Sequence, residues 1–202
     1  MTNMFYAPRV PSPAALLEPP LCIDLDGTLS KGDSTVRMGW RLILTRPWLA
    51  PAFPYWEHKG RARLKAEIAR RVPYDAMAWH YNRALIAWLQ EQRAAGRHLI
   101  LASGSDRRVV AEVARRLALF DEFLASDGAT NFAGATKSEG LIERFGTFDY
   151  IGNSKKDVAV WRLARDCYLV ANSARLTAWL TQRVKFVRIF PGDWLVTCRD
   201  SI

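Results

Sequence analysis

The chain has 202 residues, half of them hydrophobic, which suits one α/β domain with an insert or two small domains and argues against global disorder. Its formal charge of +9 favours an anionic partner: a phosphorylated substrate, an anionic membrane surface or nucleic acid. The three cysteines, Cys22, Cys167 and Cys198, form no CxxC pair. We therefore predict reduced thiols and a cytoplasmic location, and neither a disulfide framework nor a zinc site.

The first half of the chain is predicted as a leader, one strand and a helical block. Residues 1–20 are proline-rich and are expected to be irregular, without the features of a signal peptide. Leu21–Ile23 is an apolar run typical of a buried strand. Between residues 31 and 96 the pattern favours helices, with a segment rich in proline and aromatic residues, Arg46–Trp56, between the first two of them: Arg37–Leu44, Lys59–Arg71 and Tyr74–Ala95.

From Arg97 onward, strand patterns alternate with helix patterns. The predicted strands are Arg97–Ala102, Phe123–Ala125, Phe148–Gly152, Cys167–Ala171 and Val184–Phe190, and the predicted helices are Asp106–Leu117, Ser138–Phe145, Lys156–Ala164 and Leu176–Gln182. This alternation predicts an α/β fold with a Rossmann-like, mainly parallel sheet and helices on both faces. Residues 21–30 and 97–202 would form the core, and residues 31–96 a helical cap inserted after the first strand.

Two acidic residues follow the first strand directly. Asp24 ends the apolar run, and Asp26 precedes Gly27 and Thr28. In open α/β sheets, ligands lie beyond the carboxyl ends of the strands, so both carboxylates should reach one pocket. One of them would serve as a metal ligand or nucleophile and the other as a proton carrier. The alternative is an ordinary turn, since Asp-Gly is a common turn dipeptide.

The sequence Asp-x-Asp-Gly-Thr after a strand resembles the first motif of the haloacid dehalogenase superfamily. Leu99–Ser103, followed by Gly104, resembles the second motif, in which a hydroxyl binds a phosphate oxygen; Ser103 or Ser105 could instead be a helix N-cap. Lys137, placed before a predicted helix, resembles the lysine of the third motif, which neutralises the substrate phosphate and the nucleophile.

The stretch Phe148–Asp157 resembles the metal-binding fourth motif. It departs from the commoner form, because Asn153 stands where an aspartate is usual. An asparagine oxygen can still bind a hard cation, but it brings no charge, so the affinity for the metal should be lower. Asp157 remains available to bind the ion directly or through water.

The resemblance implies a phosphatase mechanism with a covalent intermediate. Asp24 would attack phosphorus, and Asp26 would protonate the leaving oxygen and later deprotonate water. Ser103, Gly104 and Lys137 would bind the phosphate, and Mg²⁺ would be held by Asp24, the Asp26 backbone carbonyl, and Asn153 or Asp157. The alternative is a binding or regulatory protein that has the haloacid dehalogenase fold but little turnover. Asn153 motivates this alternative, because it replaces the usual aspartate of the fourth motif.

A narrower resemblance links parts of the chain to haloacid dehalogenase domains fused to UbiA-type prenyltransferases. This resemblance rests on stretches such as residues 148–165 and 119–134, and it implies a phosphorylated lipid or sugar-lipid substrate. The segment Arg46–Trp56 could then contact an anionic membrane at the inner face, although aromatic residues in a small cap usually form its core. No nucleic-acid-binding motif accompanies the positive charge, so nucleic acid is not the partner that we predict.

Overall fold

The structure, a computed structural model, describes residues 18–195. Most of the predicted leader and Cys198 lie outside this range. The described residues form eight strands: β1 Leu21–Ile23, β2 Tyr81–Asn82, β3 Leu99–Asp106, β4 Glu122–Ser126, β5 Asp149–Gly152, β6 Cys167–Ala171, β7 Arg188–Pro191 and β8 Trp194–Leu195. They also form eight α-helices: α1 Ser34–Thr45, α2 Ala52–His58, α3 Arg61–Arg71, α4 Arg83–Ala94, α5 Arg107–Leu117, α6 Ala135–Phe145, α7 Val158–Trp161 and α8 Ala174–Thr181. Three short 3₁₀ helices complete the elements of this range: Pro47–Leu49, Ala76–Ala78 and Lys155–Asp157.

Six strands form a parallel sheet in the order β4-β3-β1-β5-β6-β7. The central strand β1 pairs with β3 on one side and with β5 on the other, so that Leu21 lies opposite both Leu99 and Asp149. All three residues of β1 are fully buried, which explains its uninterrupted apolar sequence, because a central parallel strand is covered on both faces. After β1, the chain adds β3 and β4 on one side and then β5, β6 and β7 on the other. Because the order of the strands reverses at β1, a crevice lies at its carboxyl end.

Helices cover both faces of this sheet, as the sequence predicts. On one face, side chains of α4 and α5 pack with alternate strand residues such as Ile23 and Leu101. On the other face, side chains of α6, α7 and α8 pack with the intervening residues, such as Cys22 and Ile100. Successive strand residues point to opposite faces, so one short strand contributes to two hydrophobic clusters. The predicted Rossmann-like α/β class is therefore confirmed.

Three helices between β1 and β3 form a compact unit, which we call the helical insert and define as α1–α3, residues 34–71. Met38 and Leu42 of α1, Trp56 of α2 and Ile68 of α3 are buried and continue the hydrophobic cluster on one face of the sheet. The insert is thus joined to the sheet by a shared core.

The predicted helix Tyr74–Ala95 is wrong in its first half. Residues 76–78 form a 3₁₀ turn, and β2 pairs with β8 in a separate antiparallel pair. The helix α4 begins only after Asn82, whose side chain accepts a hydrogen bond from the Leu85 N–H at 3.0 Å and donates one to the Pro191 carbonyl at 2.8 Å. The aromatic residues of this stretch suggested a helix from the sequence. The chain is instead held there by the Asn82 side-chain cap and by the short strand β2.

The helix α4 packs on the sheet, and its Leu85 and Leu89 belong to the hydrophobic cluster that the insert also joins. The ring of Trp88 lies 5.1 Å from those of Tyr168 and Phe190, which belong to β6 and β7. The end of the region predicted as cap, up to residue 96, thus flanks the core. Within residues 18–195, no helix combines the length and the apolar character needed to cross a membrane.

Candidate active site

Asp24 lies at the carboxyl end of the central strand, where its side chain is almost completely buried. Its N–H donates to the Ile151 carbonyl at 3.0 Å and so extends the pairing of β1 with β5. Oδ1 accepts a hydrogen bond from Nζ of Lys137 at 2.7 Å, and Oδ2 accepts a longer one, 3.3 Å, from the Thr28 hydroxyl. Burial raises the pKa of Asp24 to about 7; the Lys137 ammonium opposes this rise, and the Asp157 carboxylate adds to it.

Gly27 allows the chain to turn immediately after the two acidic residues. Its φ of +75° is in the left-handed region that favours glycine. A Cβ at this position would lie 2.2 Å from the Asn153 amide nitrogen, so the Asn153 side chain packs directly against the turn. Asn172, after β6, donates to the Gly27 carbonyl at 2.6 Å. The turn is thus held between the loops that follow β5 and β6.

Asp26 is fixed by two serine hydroxyls. Ser34, the first residue of α1, donates its N–H to Oδ1 at 2.9 Å and its hydroxyl to Oδ2 at 3.0 Å. The Ser34 N–H is available because the first N–H groups of a helix have no partner within it. Ser105 donates its hydroxyl to the same Oδ2, and the two serine hydroxyls lie 2.6 Å apart. The pKa of Asp26 is raised by burial, and the hydrogen bond from Ser105 opposes this rise.

Lys137 belongs to a chain of hydrogen bonds that leads away from Asp24. It lies in the first turn of α6, which begins three residues earlier than predicted, and it is 3% exposed. Its Nζ donates to Asp24 and to the Tyr150 hydroxyl at 2.9 Å, and that hydroxyl donates to Oδ1 of Asp157 at 2.8 Å. The lysine ammonium is therefore held in place by β5 and by the loop that follows it.

The other oxygen of Asp157 is also occupied by protein donors. Oδ2 accepts the N–H of Asn153 at 3.2 Å, the N–H of Ser154 at 2.9 Å and the Ser154 hydroxyl at 2.8 Å. These bonds form a capping box on the 3₁₀ turn that follows. Asp157 thus orients Tyr150 and the loop, and its two oxygens are less available to a cation than the Asn153 amide.

Ser103 and Gly104 lie on a bulged extension of β3. The strand continues to Asp106, with a shift of register between Ser103 and Asp106. The Ser103 hydroxyl accepts the Ser105 N–H at 3.1 Å and keeps its own hydrogen for another acceptor. The alternative interpretation of Ser103 or Ser105 as a helix N-cap is wrong, because Asp106 caps α5 by accepting the N–H of Arg108 at 3.0 Å.

Lys65, in α3, connects the helical insert to this loop. Its Nζ donates to the Gly104 carbonyl at 2.5 Å and to Oδ1 of Asn131 at 2.8 Å. Burial lowers the pKa of Lys65, and the charge of Asp26 opposes that shift. No sequence pattern indicated this role, since Lys65 is one of several basic residues in a helix that is expected to be solvated.

The donor set fits a hard cation that keeps part of its water shell. Across residues 18–195, no three His, Cys, Asp or Glu side chains converge as a complete metal site. Mg²⁺, however, is usually bound by one or two carboxylates together with waters and substrate phosphate. Asp24, the Asp26 carbonyl and Asn153 would form such a partial site. Three carboxylates, Asp24, Asp26 and Asp157, lie near one buried lysine, Lys137. This excess of acidic groups also favours a bound cation.

The fold and the acidic crevice define the class of protein, and comparison with known families agrees. Residues 21–193 match the haloacid dehalogenase-like hydrolase family, and the chain belongs to this family. The predicted superfamily and the predicted enzyme of the haloacid dehalogenase type are thereby confirmed.

One relative matches most of this chain. The chain is 30% identical over 189 residues to the uncharacterized protein y4nM of Sinorhizobium fredii, covering 89% of this chain and 36% of that protein. It therefore spans only about a third of that relative's length. The narrower resemblance to domains fused to prenyltransferases is not tested by these comparisons and stays a prediction.

Two solved structures show the same fold. A haloacid dehalogenase family hydrolase from Salmonella enterica serovar Typhi has a TM-score of 0.60 at 13% identity, covering 91% of this chain and 73% of that one. A phosphoserine phosphohydrolase-like protein from Francisella tularensis has a TM-score of 0.54 at 14% identity, covering 85% of this chain and 94% of that one. At such low identities the similarity concerns the fold alone.

Proposed function

We propose that this protein is a Mg²⁺-dependent phosphohydrolase that cleaves phosphate monoesters through an aspartyl-phosphate on Asp24. One observation carries the proposal: a buried carboxylate, Asp24, is paired with Lys137 at the carboxyl end of the central strand, with Asp26 fixed two residues away. An ordinary Asp-Gly turn would not require a buried lysine or two serine hydroxyls around its carboxylates.

The first half of the reaction uses the two acidic residues in different roles. The Asp24 oxygen that Lys137 does not hold attacks phosphorus, and the bond from phosphorus to the leaving oxygen breaks. Asp26 transfers its proton to that oxygen, and its raised pKa supports the protonated form that this step needs. Lys137 and the Ser103 hydroxyl balance the charge on the phosphoryl oxygens.

In the second half, Asp26 accepts a proton from the water that attacks phosphorus. The acyl-phosphate bond breaks, inorganic phosphate leaves, and Asp24 is restored as a carboxylate. Ser34 and Ser105 hold the Asp26 side chain in one orientation for both proton transfers. Mg²⁺, held by Asp24, the Asp26 carbonyl and Asn153, would neutralise charge on the phosphate and the nucleophile.

We further propose that the helical insert is the cap of the active site, with a boundary near residue 71 in place of residue 96. Two contacts from the insert support this: Ser34 binds Asp26, and Lys65 binds the Gly104 carbonyl. Lys65 would thereby bring a positive charge to the edge of the phosphate site. The organic part of the substrate, a phosphorylated lipid or sugar-lipid, stays a prediction.

The test is a phosphatase screen of sugar phosphates, phosphorylated amino acids and polyprenyl phosphates, with and without Mg²⁺. Asp24→Asn is the control. We expect Mg²⁺-dependent release of phosphate from at least one substrate by the wild type and none by the variant. Binding of phosphorylated compounds without turnover in the wild type would instead support the alternative, a binding or regulatory protein.

A further inference from the structure

An apolar surface lies on the outside of the helical insert, away from its own core. We call it the outer face and define it as Val36, Trp40 and Leu44 on α1, with Trp48 in the following 3₁₀ turn. These side chains are 56%, 62%, 79% and 70% exposed. The first three are spaced by four residues, which places them on one side of the helix.

The core of the insert does not need these residues. The opposite side of α1 carries the residues that pack inward, Met38 and Leu42, which are 5% and 0% exposed. Trp56, which the sequence placed in a lipid-facing segment, is 8% exposed and belongs to the core. Within the predicted lipid-facing segment Arg46–Trp56, Trp48 and Tyr55 are 70% and 62% exposed, and the outer face combines Trp48 with the exposed side of α1.

Basic residues outnumber acidic ones around the outer face, where Asp33 accepts the Val36 N–H at 3.0 Å. Residues 34–56 contain three arginines, Arg37, Arg41 and Arg46, and no aspartate or glutamate. On the helix, Arg37 and Arg41 follow directly after Val36 and Trp40 and so border the apolar side. A second copy of the chain seated on this face would bring together more arginines than the Asp33 carboxylates of the two copies could pair.

We propose that the outer face binds the surface of a membrane that contains anionic lipids. Tryptophan rings are favoured at the level of the headgroups, and arginines beside them can bind lipid phosphates. Exposed apolar side chains of this size commonly mark an interaction site. The proposal concerns where the protein lies and is independent of the reaction, since no residue of the outer face belongs to the active site.

The test is flotation with vesicles of phosphatidylcholine alone and of phosphatidylcholine mixed with phosphatidylglycerol. We expect the wild type to bind the anionic vesicles and to dissociate at high salt, because exposed charges are screened. The variant Trp40→Ala with Trp48→Ala should lose this binding. The variant Arg41→Gln with Arg46→Gln should bind about thirty-fold more weakly, because each of the two basic residues usually contributes about 1 kcal/mol at an anionic surface.

The matched control is Leu163→Ala with Val187→Ala, which removes exposed apolar side chains outside the insert, 48% and 62% exposed. It should bind vesicles as the wild type does. Absence of wild-type binding to anionic vesicles, or equal loss in the control, would overturn the proposal. So would a dimer in light scattering that the double tryptophan variant converts to a monomer. Turnover of a soluble substrate by all variants separates these results from failure of the proposed reaction.

Discussion

Buried carboxylates lie at both ends of strand β5, and their surroundings are opposite. At the amino end, Asp149 is 0% exposed and is matched by two arginines. Arg165 donates to both of its oxygens, at 2.9 and 2.7 Å, Arg97 donates to one of them, and the Asp166 N–H completes the set at 2.9 Å. Two arginines thus surround one fully buried carboxylate, and they also contact Glu18 and Asp166 at the surface.

At the carboxyl end the balance is reversed. Asp24, Asp26 and Asp157 lie near one buried cation, Lys137, and burial raises the pKa of Asp24 to about 7. A carboxylate that serves only the fold would be expected to have its charge matched, as Asp149 does. We infer that the excess of buried carboxylates marks the functional end of the sheet, where a metal ion and a reacting group can enter.

The largest effect is expected from Asp24→Asn, which removes the nucleophile. Phosphatase turnover should fall by at least about 10³-fold, because loss of a covalent nucleophile is among the most damaging changes to an enzyme. The fold should persist, because one charge is removed from an acidic cluster. Steady-state kinetics together with circular dichroism check both expectations. Retention of wild-type turnover would exclude the covalent mechanism.

Asp149→Asn should affect stability and spare the chemistry. Two arginines would lose their buried carboxylate, which typically costs about 3–5 kcal/mol in the free energy of unfolding. Urea denaturation measures this loss, and activity per folded molecule should remain close to that of the wild type. A similar loss of stability from Asp24→Asn would remove the contrast between the two ends of the strand.

Lys65→Met should weaken catalysis without unfolding the protein. The substitution removes the ammonium and with it the hydrogen bonds to Gly104 and Asn131. Loss of charge-assisted bonds of this kind corresponds to a decrease of about 10–100-fold in kcat/KM. Lys59→Met is the matched control, since Lys59 is an exposed lysine of the same basic stretch. Equal kinetics for the two variants would show that Lys65 does not contribute to the phosphate site.

Asn153→Asp is expected to have the smallest effect, an increase in Mg²⁺ affinity of about tenfold or less. Ligand charge tunes the affinity of hard-cation sites, and aspartate has nearly the shape of the asparagine that packs against Gly27. Isothermal titration calorimetry with Mg²⁺ measures the difference. Equal affinities in wild type and variant would mean that Asn153 is not a ligand and that Asp157 or water binds the ion.

The sequence predicted the core of the fold well, because its strands are short apolar runs separated by clear helices. The strand Cys167–Ala171 was predicted with its exact bounds, and the sheet class followed from the alternation. Prediction was poorer where tertiary contacts override local pattern. The stretch before α4 contains aromatic residues and was predicted as part of the helix, but Asn82 and a short strand hold it in another conformation.

For the site, the sequence identified the residues that carry charge and missed those that orient them. Asp24, Asp26 and Lys137 were named from the order of the motifs, and the structure brings them together. Tyr150 lies in a predicted strand and had no predicted role, although its hydroxyl joins Lys137 to Asp157. Ser34 and Lys65 approach from the helical insert, and no local pattern indicates how an insert packs on a core.

The central claim, a covalent intermediate on Asp24, is tested most directly by trapping it. The wild type is mixed with Mg²⁺ and the best substrate of the screen, quenched in acid, and treated with borohydride, which reduces acyl phosphates to alcohols. Mass spectrometry of the tryptic peptides then locates the modified residue. We predict reduction at Asp24 alone, in the presence of substrate and not in its absence. Turnover with an unmodified Asp24, or with the label on another residue, would contradict the account.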